Sequence, residues 1–178
     1  MHCSLPAVDL TDLSQKRQFA PEYSQRAYEE MLEKEFAIGN YLTKEAMQDL
    51  CIKSEDRKSM VYLLEELNEA EGWKQETLFQ AISIADRYLN HRAKLGKPAP
   101  CLISLAVTSL MIAAKIEQHF TPSFKIMNSI LADKHSLTVT KPLFMKIERK
   151  ILQALEFSFS YEYPIVFLER YQRLLSKE

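Results

Sequence analysis

Glycine is scarce, with three residues in 178. Tight hairpins, phosphate-cradling loops and dinucleotide-binding turns need residues that accept positive φ, so barrels, Rossmann halves and P-loops are disfavoured at the outset. Cysteine is equally thin. Cys3, Cys51 and Cys101 are odd in number and form no C-x-x-C pair, and His2, His91, His119 and His135 are scattered. Neither a disulfide framework nor a zinc site is indicated, and no metal or cofactor is expected. There is also no excess of charge of either sign. The 23 Lys+Arg stand against 24 Asp+Glu, a formal net charge of −1, so no global field draws the chain to nucleic acid or to an anionic membrane, although a local basic patch is compatible with it. The opening Met1-His2-Cys3-Ser4-Leu5-Pro6 lacks the basic and apolar regions of a secretory signal. Free thiols suit a reducing compartment, so an intracellular protein, nuclear or cytoplasmic, is expected.

Signatures of catalysis are missing too. No G-x-S-x-G, H-E-x-x-H, glycine-rich phosphate loop or kinase motif occurs, and the acidic groups Glu29-Glu30, Glu33 with Glu35, and Glu65-Glu66 lie in runs of alternating charge that read as solvated helix faces. The chain is expected not to be an enzyme.

What the sequence does contain is helical periodicity, in a chain 47% hydrophobic and 26% charged. Residues 1–21 carry Pro6, Pro21 and isolated apolar side chains without a sustained period, and read as a tail. Residues 22–53 form an N-terminal helical region, with one charged helix over Glu22–Phe36 (Tyr23, Ala27, Met31 and Leu32 on its apolar edge) and a short one near Lys44–Leu50. The next helix starts near Ser54, whose hydroxyl is placed to cap it, and buries Met60, Leu63, Leu64 and Leu67 before Gly72 ends it. Leu78, Ala81, Ile82, Ala85 and Leu89 define another over Lys74–His91, followed by a loop through Pro100.

Cys101–Gln118 is apolar almost all round. It is short for a bilayer, carries Ser104, Thr108 and Ser109 and ends near Lys115, so it reads as a central helix wrapped by others. Thr121 and Pro122 are expected to open a helix with Ile126, Met127, Ile130 and Leu131 inward, and Thr140 and Pro142 to open one with Phe144, Ile147, Ile151, Leu152 and Leu155 as its apolar set. From Phe157 to Tyr163 aromatic and polar residues alternate, the pattern of an extended segment laid across helices, and Pro164 precedes a terminal helix over Ile165–Leu175. The fold class is all-α.

Ionisable residues on or beside the apolar stripes carry the functional signal. Lys115 follows the most apolar run, and Glu148 shares a helix face with Phe144, Ile151 and Leu155. Each either reaches water or pairs internally, or else belongs to a paired charge site at an interface, where desolvated charges persist only when hydrogen-bonded. Arg57 and Asp86, on consecutive helices, are candidates for an ion pair tying the two together.

The order of these words resembles the first box of the cyclin family. Arg57 leads a helix through Leu64-Glu65-Glu66-Leu67; Glu76-Thr77-Leu78 and Ile84-Ala85-Asp86-Arg87-Tyr88-Leu89 follow; then come Ile112-Ala113-Ala114-Lys115-Ile116-Glu117, Ile147-Glu148 and Leu155-Glu156-Phe157. Agreement runs from about residue 23 to 163. The resemblance implies a five-helix cyclin box over residues 54–163, preceded by an N-terminal helix, that binds and activates a cyclin-dependent protein kinase as a heterodimer. By the same resemblance Lys115 and Glu148 fall on the positions that hold backbone groups of the kinase's regulatory helix, and Phe157 on the phenylalanine that packs against it. Arg57 and Asp86 fall on the family's structural ion pair.

Two departures stand out. Gln118 replaces a second glutamate common at the kinase contact. In the family's groove for R-x-L substrate words, Asp56, Ser59 and Leu63 replace apolar groups beside Met60, while Glu66 keeps the place of the arginine-binding glutamate. The resemblance leaves residues 164–178 as either the end of a single-box cyclin or the start of a second box. The alternative expectation is a helical adaptor of general transcription, which shares the cyclin-box fold and binds DNA or peptides. A basic face would favour it, and the near-neutral charge opposes it. Membrane and direct nucleic-acid partners are not expected.

Overall fold

Every regular element among the described residues is an α-helix; the computed structural model describes residues 26–33, 42–120, 122–159 and 168. The chain divides into two units, residues 1–39 and 40–178. In the first, residues 26–33 form α1, with Ala27, Met31 and Leu32 half-buried and an i,i+4 ion pair of 3.2 Å from Arg26 to Glu30. The expected tail over 1–21, Tyr23, residues 160–163 and, Leu168 apart, the terminal helix lie outside the described residues.

In the second unit α2 (Lys44–Asp49) is followed by the five helices α3 (Ser54–Ala70), α4 (Gln75–Lys94), α5 (Leu102–Glu117), α6 (Phe124–His135) and α7 (Lys141–Ala154). The apolar run becomes the centre. Eleven consecutive residues of α5, Ser104 to Ala114, are buried, because α5 packs against α3, α4 and α7, with its most extensive contact on α4. A helix apolar on every side has no face to offer water and is stable only when covered all round. Of its hydroxyls, that of Thr108 donates to the carbonyl of Ser104 at 2.7 Å. No helix among the described residues is long and apolar enough to cross a membrane.

The stripe on α3 packs as its spacing dictates, with Met60, Leu63, Leu64 and Leu67 all buried. The cap differs from expectation. Ser54 is already the first helical residue, Lys53 is the N-cap, and the carboxylate of Asp56 reaches back to accept the Lys53 amide at 2.8 Å. At the other end Gly72, at φ +65°, makes the left-handed exit that side chains resist, and Asn68 Nδ2 donates to the carbonyls of Trp73 and Lys74 at 3.1 and 3.3 Å, fixing the turn into α4. Thr43 caps α2 by accepting from the Ala46 amide, and its own amide donates to Asn90 on α4.

Three further expectations are corrected. The third-position helix runs to Lys94, past His91, since nothing before Gly96 forces a break. α6 starts at Phe124 with Ser123 at its cap, Thr121 lying outside the described residues; that phase buries Met127 and Leu131 and turns Ile126 outward, 55% exposed. Finally, Phe157 is not extended but sits in a left-handed turn at φ +57°, next to Glu156 at +50°. There its amide donates to the Leu152 carbonyl at 3.1 Å, satisfying the end of α7, and this local demand overrides the alternating pattern.

Candidate functional site

One end of the helical array gathers the end of α5, the start of α6 and the face of α7. Ala113 and Ala114 are fully buried, and the next residue, Lys115, emerges at the last turn of α5, where the helix dipole favours a cation. Its Nζ donates to Glu148 Oε1 at 2.5 Å. The ammonium also stands 5.8 Å from the centroid of the Phe144 ring, which in turn packs on Phe124 of α6 at 4.8 Å between centroids. Phe144 thus acts as a platform: it is buried and rigid, and it limits where the flexible lysine stem can go.

The pair remains open to a partner, with the Lys115 side chain 42% and the Glu148 side chain 19% exposed. Lys115 uses one of three ammonium protons and Glu148 one oxygen, so a carbonyl and an amide of another chain could still be bound. Exposed apolar residues follow in the chain at the ends of α5 and α7. Ile116 is 46% and Phe120 88% exposed, and Phe157, in the turn ending α7, is 68% exposed. Holding Glu156 and Phe157 at positive φ costs about 1–2 kcal/mol per residue. Gln118 turns inward, its amide donating to the buried hydroxyl of Thr77 at 2.7 Å; a glutamate there could not donate.

Arg57 and Asp86 meet in a two-pronged contact, Nε to Oδ1 at 3.1 Å and Nη2 to Oδ2 at 2.6 Å. The contact is asymmetric, since the Asp86 side chain is 1% exposed and that of Arg57 32%. The hydrogen bond to Asp86 pushes the guanidinium further toward its charged form, against the cost of burial.

The residues at the positions where the resemblance implies a substrate-docking groove are otherwise engaged. Met60 and Leu63 are 3% and 7% exposed and belong to the core. Ser59 donates to the Glu55 carbonyl at 2.9 Å, and Asp56 is used at the start of α3. Glu66 faces α6, with Lys134 at 3.3 Å from one oxygen and His135 Nε2 at 3.0 Å from the other. Sequence reasoning missed Lys134, His135 and Thr77 as neighbours of these positions. No spacing within one helix could have shown them, because each contact joins two helices.

A helical domain whose central helix, buried from Ser104 to Ala114, packs against three others, and which carries a charge pair at one end, defines the class of fold among the described residues. The family described as "Cyclin, N-terminal domain" matches residues 26–160, and the chain belongs to the cyclin family. It is 28% identical over 172 residues to the human G2/mitotic-specific cyclin-B3, covering 96% of this chain and 12% of that protein. It is 29% identical over 165 residues to the G2/mitotic-specific cyclin-B of Hydra viridissima, 92% and 39% of the two chains, and 31% identical over 153 residues to the S-phase entry cyclin-6 of Saccharomyces cerevisiae, 84% and 38%. The chain thus spans between 12% and 39% of the length of these relatives.

Proposed function

We propose that this chain is a noncatalytic regulatory subunit that binds a cyclin-dependent protein kinase as a heterodimer and activates it. The observation that carries this reading is the Lys115–Glu148 pair, preassembled at 2.5 Å between two helices and open to solvent, in a domain that also exposes Ile116, Phe120 and Phe157 at the ends of those helices. A preassembled pair loses little freedom on docking, and its spare donors and acceptor suit the unpaired backbone groups at the end of a helix. Phe157 supplies apolar contact area. Activation is then a population shift: a partner that binds only the active placement of the kinase's regulatory helix stabilises that placement by its differential affinity. Affinity purification followed by mass spectrometry tests the reading. A co-purifying kinase whose activity depends on the added chain is expected; recovery of promoter-bound complexes without a kinase would favour the transcription adaptor.

Recruitment of R-x-L substrate words by this chain is expected to be weak or absent. A target leucine would meet Asp56 and Ser59 in place of an apolar trough, forfeiting about 1.5–3 kcal/mol of side-chain burial, while its arginine would have to displace Lys134 from Glu66. Titration of a fluorescent R-x-L peptide checks this. Low-micromolar binding that Glu66→Gln abolishes would show a working groove.

A further inference from the structure

A second charged surface lies on α7, opposite its buried face. Pro142, Met145, Lys146, Arg149, Lys150 and Gln153 are all exposed and line a shallow recess of about 460 Å³. Their spacing, i, i+3, i+4, i+7, i+8 and i+11, is that of a single helix face, and the inward face of the same helix is Phe144, Ile147 and Ile151. Glu148, in sequence between the two sets, is the only carboxylate on α7, and it is taken by Lys115. No carboxylate among the described residues lies within ion-pair distance of Lys146, Arg149 or Lys150. In a chain with a formal net charge of −1, one helix face thus carries three cations that no carboxylate among the described residues pairs with.

We infer that the α7 recess is a docking site for a phosphoserine- or phosphothreonine-bearing segment of a partner protein. Lys146, Arg149 and Lys150 lie within about 6 Å of axial rise, too short to follow a nucleic-acid backbone through the many phosphate contacts on which such binding depends. That spacing suits one compact dianion. A phosphomonoester carries about −1.5 to −2 charges and three acceptor oxygens, which Arg149 can bind in two-pronged fashion while the two lysines neutralise the remainder. Met145 and Pro142 give the same recess an apolar wall for the neighbouring residue of the segment. The source of such segments rests on the kinase reading above: serine and threonine residues phosphorylated by the complex would be held on the flank next to Lys115–Glu148, and a multiply phosphorylated substrate would be retained.

The test uses the full chain without a kinase, so its outcome is separable from that of kinase binding. A short fluorescein-labelled peptide of Gly, Ala and Pro around one phosphoserine is titrated by anisotropy, beside its unphosphorylated form, at low and high salt. The phosphorylated peptide is expected to bind at least about tenfold tighter than the unphosphorylated one, to weaken with salt, and to lose about tenfold or more in the Lys146→Ala/Arg149→Ala/Lys150→Ala variant with its helical circular dichroism unchanged. Arg149→Lys alone should weaken it about threefold, through loss of the two-pronged bond. Equal affinity for both peptides, absence of binding, or binding unaffected by the triple substitution overturns the proposal. A short DNA duplex that binds the same cations more tightly than the phosphopeptide also overturns it, in favour of a nucleic-acid surface. Kinase activation without phosphopeptide binding removes this inference and leaves the kinase reading standing; phosphopeptide binding without any kinase partner does the reverse.

Discussion

Arg57→Ala is expected to lose about 3–5 kcal/mol of folding stability, because it leaves the carboxylate of Asp86 buried without its counter-ion. The asymmetry of the pair sets the size of this effect. An exposed ion pair contributes at most about 1 kcal/mol, but the Asp86 side chain is only 1% exposed, and both of its oxygens are held by the guanidinium. For a domain of this size the loss corresponds to a fall in melting temperature of roughly 10 °C. Partner binding should decline only in step with unfolding. A melting temperature equal to the parent's would show that the pair adds nothing, and Arg57→Ala/Asp86→Ala, which removes both charges, should recover part of the loss.

Lys115→Ala and Glu148→Ala should have the opposite signature. Free in solution the Lys115–Glu148 pair is part-exposed, so either substitution should leave the melting temperature within a few degrees of the parent. In the proposed complex the same truncation strands both the remaining charge and the partner's backbone groups in a desolvated contact, at about 2–5 kcal/mol, enough to remove kinase activation at ordinary concentrations. Differential scanning calorimetry together with a reconstituted kinase assay separates the two readouts. Intact activation with a depressed melting temperature would make the pair a fold element and remove its proposed role at the interface.

Much of the fold was legible in the sequence because burial follows periodicity. The stripe Met60, Leu63, Leu64 and Leu67 and the all-round apolarity of Leu102–Glu117 each imply a packing environment, and the helices take those environments. The α6 boundary and buried edge were less legible: the helix starts at Phe124, after the Thr121-Pro122 signal, and of the four expected inward residues only Met127 and Leu131 are buried, an edge too narrow to include Ile126. The turn at Phe157 was hidden because a two-residue alternation indicates extended chain, while the unpaired carbonyls at the end of α7 leave no such mark. For the candidate site, Lys115 and Glu148 stood out as charges beside apolar stripes, whereas their 2.5 Å contact, across 33 residues of sequence, depends on how α5 and α7 pack. The same holds for Lys134 and His135 facing Glu66 and for Gln118 turned to Thr77.

The position of α5 in the chain also constrains how the protein can be made. α3 and α4, which both pack on α5, leave the ribosome before it, and Leu64 and Leu67 on one and Ala81, Ile84 and Ala85 on the other are essentially inaccessible to water in the finished molecule. At about 5–20 residues per second of synthesis, those faces stay wet for a second or more until Leu102–Glu117 arrives to cover them. The nascent chain thus passes through a stage with α3 and α4 synthesised and their shared partner absent, an interval in which exposed apolar surface favours self-association over folding.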